Sequence, residues 1–434
     1  MTSNRIVAII FNEATNLLLL IPEVAVTARI LAGGVPEPDE LVGRDHTIRF
    51  IWDQLRGNNI LLVAPRRFGK TGVMNHLLKR TEPGYVAVYL DVEDVHDPEV
   101  FCSNLIAALL EHDKLRAIVN GAKALPKKFL EFVRSQVGTV KTEGFEIGLR
   151  EVVPRDEWSS ITRALLVEME KAEDTVLFIL DEFPQLIENV ARKHGDEAAR
   201  VFLQWFRSLR MRQKDVLRRY RFVLGGSTSI DLTLRRLDVP DKLNDFCRVP
   251  IEALTREHAE TLLDALALAS GLHFTADGRA AVFELIAPPV PYFLQLFVSQ
   301  IKLEEKLKDK ELGKEDVTDL YHRRVLGPTC RAYFDYYRQR LKRYGEKGQR
   351  AALAVLQEVA HAPTGRVSDS ALYDVYRRAR GKGATSFEFS EIMADLESDF
   401  YLLLDLKTNE YGFLLQVMRD WWKRFSRMVG RKPK

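Results

Sequence analysis

Three stretches of the chain have residue types and spacings suited to handling a phosphate. The first runs Ile60-Leu61-Leu62-Val63-Ala64-Pro65-Arg66-Arg67-Phe68-Gly69-Lys70-Thr71. An apolar strand enters a loop that ends in Gly-Lys-Thr and then becomes helical. In such a loop successive backbone N–H groups wrap the phosphates and the lysine reaches the outer ones. The threonine hydroxyl ligates Mg²⁺, and the helix N-terminus adds a favourable dipole. The spacing departs from G-x-x-x-x-G-K-[ST] at one position, where the first glycine is Ala64. Residues 64 to 72, including Pro65, Arg66, Arg67, Phe68, Gly69, Lys70, Thr71 and Gly72, are therefore the candidate nucleotide contacts, with Thr71 a metal ligand.

The second stretch is Val176-Leu177-Phe178-Ile179-Leu180-Asp181-Glu182. An apolar strand closing on two carboxylates places them at the carboxyl edge of a sheet, where ligands bind in open α/β folds. Asp181 is the expected second holder of Mg²⁺, and Glu182 the group that orients and deprotonates an attacking water. The third is Phe222-Val223-Leu224-Gly225-Gly226-Ser227-Thr228-Ser229. A hydroxyl just beyond a strand can touch a terminal phosphate; Ser227 is the first candidate and Thr228 the second, against a plain glycine-serine turn.

The elements that must position these residues follow from the hydrophobic pattern. Apolar runs at Ile60–Val63, Tyr85–Leu90, Val176–Leu180 and Arg221–Leu224 alternate with amphipathic helical stretches, as βα units on a parallel sheet do. Each run is nearly continuous, as expected of strands covered on both faces. The interval from about 95 to 175 is long for one crossover and holds an alternating segment, Phe145–Arg150, that reads as an extra strand. Residues 251–300 are wholly helical in pattern. From about 345 the order is helix, helix, helix, strand, turn, strand, which is that of a winged helix with Thr408-Asn409-Glu410 at the wing tip.

A fourth motif, Leu41-Val42-Gly43-Arg44-Asp45, precedes a helix carrying Ile48, Ile51 and Leu55. Together the four motifs resemble those of archaeal-type P-loop ATPases of the AAA+/STAND group, near the origin-recognition ATPases. The resemblance covers about residues 39 to 300. It implies a parallel-sheet core with a helical lid, ATP and Mg²⁺ as cofactors, and hydrolysis of ATP to ADP and phosphate. It implies that Val42 and Gly43 enclose the base, and that Pro291 contacts nucleotide from a lid whose usual Gly-x-Pro reads Pro289-Val290-Pro291. A winged helix commonly follows the lid in that family. The implied division is an apolar extension (1–38), the ATPase core (39–250, with an insertion at about 120–157), the lid (251–315), a basic helical linker (316–344) and a winged helix with a basic tail (345–434).

Composition is that of an ordinary globular protein. The 434 residues are 46% hydrophobic and 29% charged, with net charge +3, so total charge selects no partner. Local charge is more informative. Residues 321–350 carry nine Lys or Arg against two acids, with tyrosines interleaved, and residues 416–434 carry seven against one around Trp421-Trp422. Such segments attract phosphate backbones, making double-stranded DNA a candidate partner, against a basic linker and a tryptophan pair that closes a core. The rival is a nucleotide-gated switch whose winged helix and N-terminus bind protein; self-assembly is a further option. Among arginines 207, 210, 212, 218, 219, 221, 235 and 236 a finger for a neighbouring subunit would be sought, against an ion-paired helix face. Cys102, Cys247 and Cys330 lack metal-ligand spacing and fit a reducing cytoplasm. The apolar stretch Ile6–Ile30 is interrupted by polar residues, short of the roughly 18 to 20 a membrane span needs.

Overall fold

The computed structural model describes residues 33–121, 125–135, 157–211, 219–226, 230–304, 307 and 310–429. The apolar extension up to residue 32, the Phe145–Arg150 segment and the hydroxyls of Ser227, Thr228 and Ser229 lie outside these residues. The core begins with α1 (Asp45–Leu55), β1 (Asn59–Val63), α2 (Lys70–Lys79) and β2 (Tyr85–Asp91). Among the described residues there follow α3 (Pro98–Leu110), α4 (Asp113–Gly121), α5 (Lys127–Ser135) and α6 (Trp158–Met169). Then come β3 (Thr175–Asp181), α7 (Phe183–His194), α8 (Asp196–Arg210), β4 (Tyr220–Leu224), α9 (Ile230–Arg236) and β5 (Phe246–Pro250).

The five strands form one parallel sheet in the order β2-β3-β4-β1-β5. Strand β3 shows why its sequence is continuously apolar. Leu177 and Ile179 enter the hydrophobic cluster on one face, and Val176, Phe178 and Leu180 enter the other. All five are fully buried, and each contributes roughly 1.5–3 kcal/mol by leaving water. The four strands expected from the sequence are present. Strand β5 was not expected, because it is a short edge strand whose Phe-Cys-Arg-Val-Pro carries a charge on its uncovered side.

After the core come α10 (Arg256–Ser270), β6 (His273–Phe274), α11 (Ala276–Leu285), α12 (Pro291–Lys302), β7 (Glu311–Leu312) and α13 (Lys314–Leu320). The short strands β6 and β7 pair in parallel and interrupt a region whose sequence pattern is helical. Thr255 and Thr275 each accept the third backbone N–H of the helix they precede, and Pro291 opens α12, where a missing N–H costs nothing. The connecting helix is α14 (Arg331–Arg340), and the last group is α15 (Gly345–His361), β8 (Arg366–Ser368), α16 (Asp369–Arg380), α17 (Ser386–Ser398), β9 (Leu402–Asp405), β10 (Glu410–Phe413) and α18 (Gln416–Val429). The helix and strand order expected at the C-terminus is present. One strand is added: β8 pairs with β10 on the side opposite β9, giving the antiparallel order β8-β10-β9.

Several cations of the basic segments are paired within the chain, while Lys342, Lys347 and Arg350 stand exposed. Arg323 pairs with Glu304 at 2.7 Å and with Asp319 at 3.2 Å, and Arg324 also reaches Glu304. Arg331 and Arg338 face Asp335, while Arg340 and Arg343 converge on Asp399, whose side chain is wholly buried. Tyr321 and Tyr337 are core residues. Trp421 and Trp422 are buried with ring centroids 4.9 Å apart, and Phe334 of α14 stacks on Trp421 at 5.5 Å. The tryptophan pair closes a core and is not a platform for bases.

Candidate functional site

The phosphate loop joins β1 to α2 and is shaped by its own backbone. Gly69 adopts φ +97° at the N-cap of α2, a conformation open to glycine and strained for residues with a Cβ. Lys70 then begins the helix with its side chain folded back, and Nζ donates to the carbonyls of Ala64 (2.8 Å) and Pro65 (3.0 Å). Ala64 and Pro65 therefore act as acceptors for the lysine and do not line the cavity. Burial lowers the Lys70 pKa to about 8, opposed by the charges of Glu182 and Asp181. A charged amine in so dry a place favours an arriving anion.

Across the sheet edge, Asp181 ends β3, one strand removed from β1. Thr71 Oγ1 donates to Asp181 Oδ2 at 2.8 Å, bridging over the end of β4. Two glycines follow β4 at this edge, both closely packed. A Cβ on Gly225 would lie 2.3 Å from Met74 Cε and 3.4 Å from Asp181 Oδ1, and one on Gly226 would lie 2.3 Å from Pro184 Cδ. Burial raises the Asp181 pKa, and the Thr71 hydroxyl bond pulls it back. Thr71 and Asp181 are two hard oxygen donors side by side. They fit Mg²⁺, which binds through one or two protein oxygens and completes its shell with phosphate and water. Among the described residues no cluster of three His, Cys, Asp or Glu offers an alternative metal site.

Glu182 takes φ +57°, an uncommon left-handed geometry for a residue with a side chain. Its N–H donates to Asp181 Oδ1 at 3.0 Å, and the next N–H, of Phe183, donates to the Gly225 carbonyl at 2.9 Å. These bonds hold the sharp turn from β3 into α7 and leave the Glu182 side chain on the wall of the cavity.

That cavity, of about 230 Å³, runs from the phosphate loop to the lid. Of the candidate residues, Val42, Arg66, Arg67, Phe68, Gly69, Lys70, Thr71, Gly72, Glu182 and Pro291 line it. Gly43 does not. Its backbone packs on α10, where a Cβ would come within 2.8 Å of the His258 ring. Sequence reasoning did not name the rest of the wall, which includes Pro36, Leu41, Arg44, Leu262, Tyr292 and Gln295. Arg44 sits within the Val-Gly-Arg-Asp motif, yet its role is buried: Nη2 donates to the Phe68 carbonyl at 3.0 Å, tying α1 to the phosphate loop, and burial lowers its pKa to about 10. Tyr292 and Gln295 follow Pro291 on α12, so the lid reaches the cavity despite Pro289. Arg66 and Arg67 are both engaged by rings, Arg66 over Tyr336 at 4.3 Å and Arg67 over Tyr292 at 4.6 Å.

The arginines considered for a neighbouring subunit's site are committed within this chain. Arg210 forms a buried pair with Asp245 at 2.7 Å, and Arg207 pairs with Asp241. Arg235 meets Asp395, Arg236 meets Asp196, and Arg219 and Arg221 donate to backbone carbonyls. Arg212 and Arg218 lie outside the described residues.

No protein-family model matches the chain, and no curated protein matches it by sequence. Solved structures do. The Walker-type ATPase PABY2304 of Pyrococcus abyssi superposes with TM-score 0.59 at 14% identity, over 90% of this chain and 98% of that one. The ORC2 protein of Aeropyrum pernix, solved as ADPNP-ADP complexes, superposes with TM-score 0.53 at 13% identity, over 93% and 97%. At such identities the likeness is one of fold: the chain shares the fold of these solved ATPases. No helix among the described residues is long and apolar enough to cross a membrane.

Proposed function

We propose that this chain binds ATP with Mg²⁺ and hydrolyses it slowly to ADP and phosphate, working as a nucleotide-dependent switch. The observation that carries this reading is the Thr71–Asp181 pair, 2.8 Å apart beside the buried amine of Lys70. It brings a phosphate loop and a strand-end carboxylate, 110 residues apart in sequence, side by side. Mg²⁺ held there by Thr71 and Asp181 would neutralise charge on the outer phosphates. Lys70 leaves the Ala64 and Pro65 carbonyls for the phosphate oxygens, gaining charge-assisted bonds in place of neutral ones. Glu182 orients a water in line with the terminal phosphate and accepts its proton, since such transfers depend on positioning more than on covalent chemistry. Ser227 belongs to the proposal as a contact to that phosphate. Val42 and Pro291 enclose the nucleotide from either side.

The switch reading makes the C-terminal helix-and-strand group, read as a winged helix, the output element in a soluble cytoplasmic protein. Double-stranded DNA is one target for it. A specific observation favours protein instead. The third helix of the group, α17, carries Glu388, Glu391, Asp395 and Glu397 and no Lys or Arg, which opposes a phosphate backbone.

The test is ATP turnover by wild type and Glu182→Gln, with and without double-stranded DNA across a salt series. Glu182→Gln is expected to lower turnover by about a hundredfold or more while nucleotide affinity is kept. Equal turnover in both proteins would remove Glu182 from its role. Stimulation by DNA that declines with salt would assign DNA as the target, and indifference to DNA would assign protein.

A further inference from the structure

The cations of the cavity all come from the core: Arg44, Arg66, Arg67 and Lys70. The lid lines it with Leu262, Pro291, Tyr292 and Gln295 and brings no charge. Instead, the arginines of the phosphate loop reach outward to rings on the elements that close over them. Arg66 is the notable one. It is half-buried and lines the nucleotide cavity, yet its guanidinium lies 4.3 Å from the ring of Tyr336 on α14. Tyr336 in turn lines a second cavity of about 720 Å³, bounded by α7 and α9 of the core and by Arg343, Tyr344 and Asp395 of the C-terminal part. The Arg66–Tyr336 contact thus joins a lining residue of the one to a lining residue of the other. A second guanidinium, Arg340, lies 5.7 Å from the same ring and is held at 2.6 Å by buried Asp399, just beyond α17. The charges of Arg66 and Arg340 both act on Lys70, which places them at the same pole of the site.

Resting on the ATPase reading, we infer that Arg66 is a positioning residue that distinguishes ATP from ADP by exchanging the Tyr336 ring for the terminal phosphate. A cation on a partly exposed ring is weakly held, whereas a guanidinium on a phosphate forms paired charge-assisted bonds. A third phosphate therefore draws Arg66 inward, and α14 loses its contact with the phosphate loop. ADP has no group at that position and leaves the contact closed. Tyr336, Arg340 and Asp399 then form the mechanical link from the nucleotide to α17.

The test is equilibrium binding of ADPNP and of ADP, each with Mg²⁺, to the full chain and to four variants. Arg66→Ala is expected to weaken ADPNP about tenfold and leave ADP within about twofold. Tyr336→Leu removes the competing ring and is expected to tighten ADPNP about fivefold with ADP unchanged. Tyr336→Phe keeps the ring and keeps the wild-type ratio. Thermal melts check that each variant is folded, and the phenylalanine variant separates loss of the ring from loss of the hydroxyl. Equal changes for both nucleotides, or an Arg66→Ala protein with unchanged ADPNP affinity, would overturn the inference and leave the ATPase reading standing. A wild type that binds neither nucleotide, matching Lys70→Ala, would remove that reading and the inference with it.

Discussion

The buried amine of Lys70 makes nucleotide binding a proton-uptake reaction at alkaline pH, with a size set by the structure. The free protein holds Lys70 near pKa 8, because burial outweighs the pull of Glu182 and Asp181. At pH 7 about nine-tenths of the molecules carry the charge; at pH 9 about one-tenth do. Phosphate oxygens on the amine restore the charged form, so binding at pH 9 takes up about 0.9 proton. The phosphates' own last ionisation, near 6 by analogy with phosphate monoesters, is complete there and adds nothing. Affinity for ADP should be flat from pH 7 to 7.5 and then fall by up to about tenfold per pH unit above 8. Titration calorimetry in two buffers of different ionisation enthalpy reads the proton count directly. The stability of the unliganded protein moves the other way. The folded pKa lies below the unfolded value, so between about 8 and 10.5 the unfolded chain binds the extra proton and stability rises with pH. The penalty on the charge, about 3 kcal/mol at pH 7, is relieved across that window, and Lys70→Met should lack this pH-dependent part in urea melts. No proton uptake at pH 9, or the same pH slope in Lys70→Met, would show that burial does not dominate at Lys70 and refute the argument.

Other expectations follow from single contacts. Thr71→Val keeps the side-chain shape but removes the donor to Asp181, so nucleotide affinity should lose its dependence on Mg²⁺; wild-type Mg²⁺ dependence in the variant would place the metal elsewhere. Gly226→Ala should destabilise by about 1–3 kcal/mol, because the new methyl meets the stiff Pro184 ring at 2.3 Å. Gly225→Ala should cost less, since the atom it meets is the movable end of Met74, and urea midpoints ranked the other way would contradict this. Asp399→Asn leaves half-buried Arg340 and exposed Arg343 with a neutral partner, for a loss of about 1–3 kcal/mol; a midpoint within error of wild type would mean the arginines find water.

Much of this molecule is local in origin and could be read from the chain. A glycine-lysine-threonine after an apolar strand specifies a phosphate loop, because loop geometry and helix start are set by adjacent residues. Runs such as Val176–Leu180 specify strands covered on both faces, and the sheet obeys that. Asp181 and Glu182 were legible because a carboxylate at a strand's end has one place to go in a parallel sheet. Strand β5 was not legible, since an edge strand carries little hydrophobic signal, and β8 was too short to register. The partners of the basic segments were not legible for a related reason: charge in sequence does not say which acids lie opposite. Glu304 is brought to Arg323 and Arg324 from a preceding element, and Asp399 to Arg340 and Arg343 from a following one.

What only the tertiary structure decided is which distant groups meet. Thr71 finds Asp181 because the sheet order sets β1 and β3 on either side of β4. Arg44 is drawn out of its motif to hold the Phe68 carbonyl. Arg66 and Arg67 turn from the phosphate loop onto Tyr336 and Tyr292, residues more than 200 positions further along. Sequence fixes the chemistry each group can perform, since that resides in the side chain and its immediate backbone. Which groups act on one another depends on packing, where the burial of a few strands and helices settles distances that spacing alone leaves open.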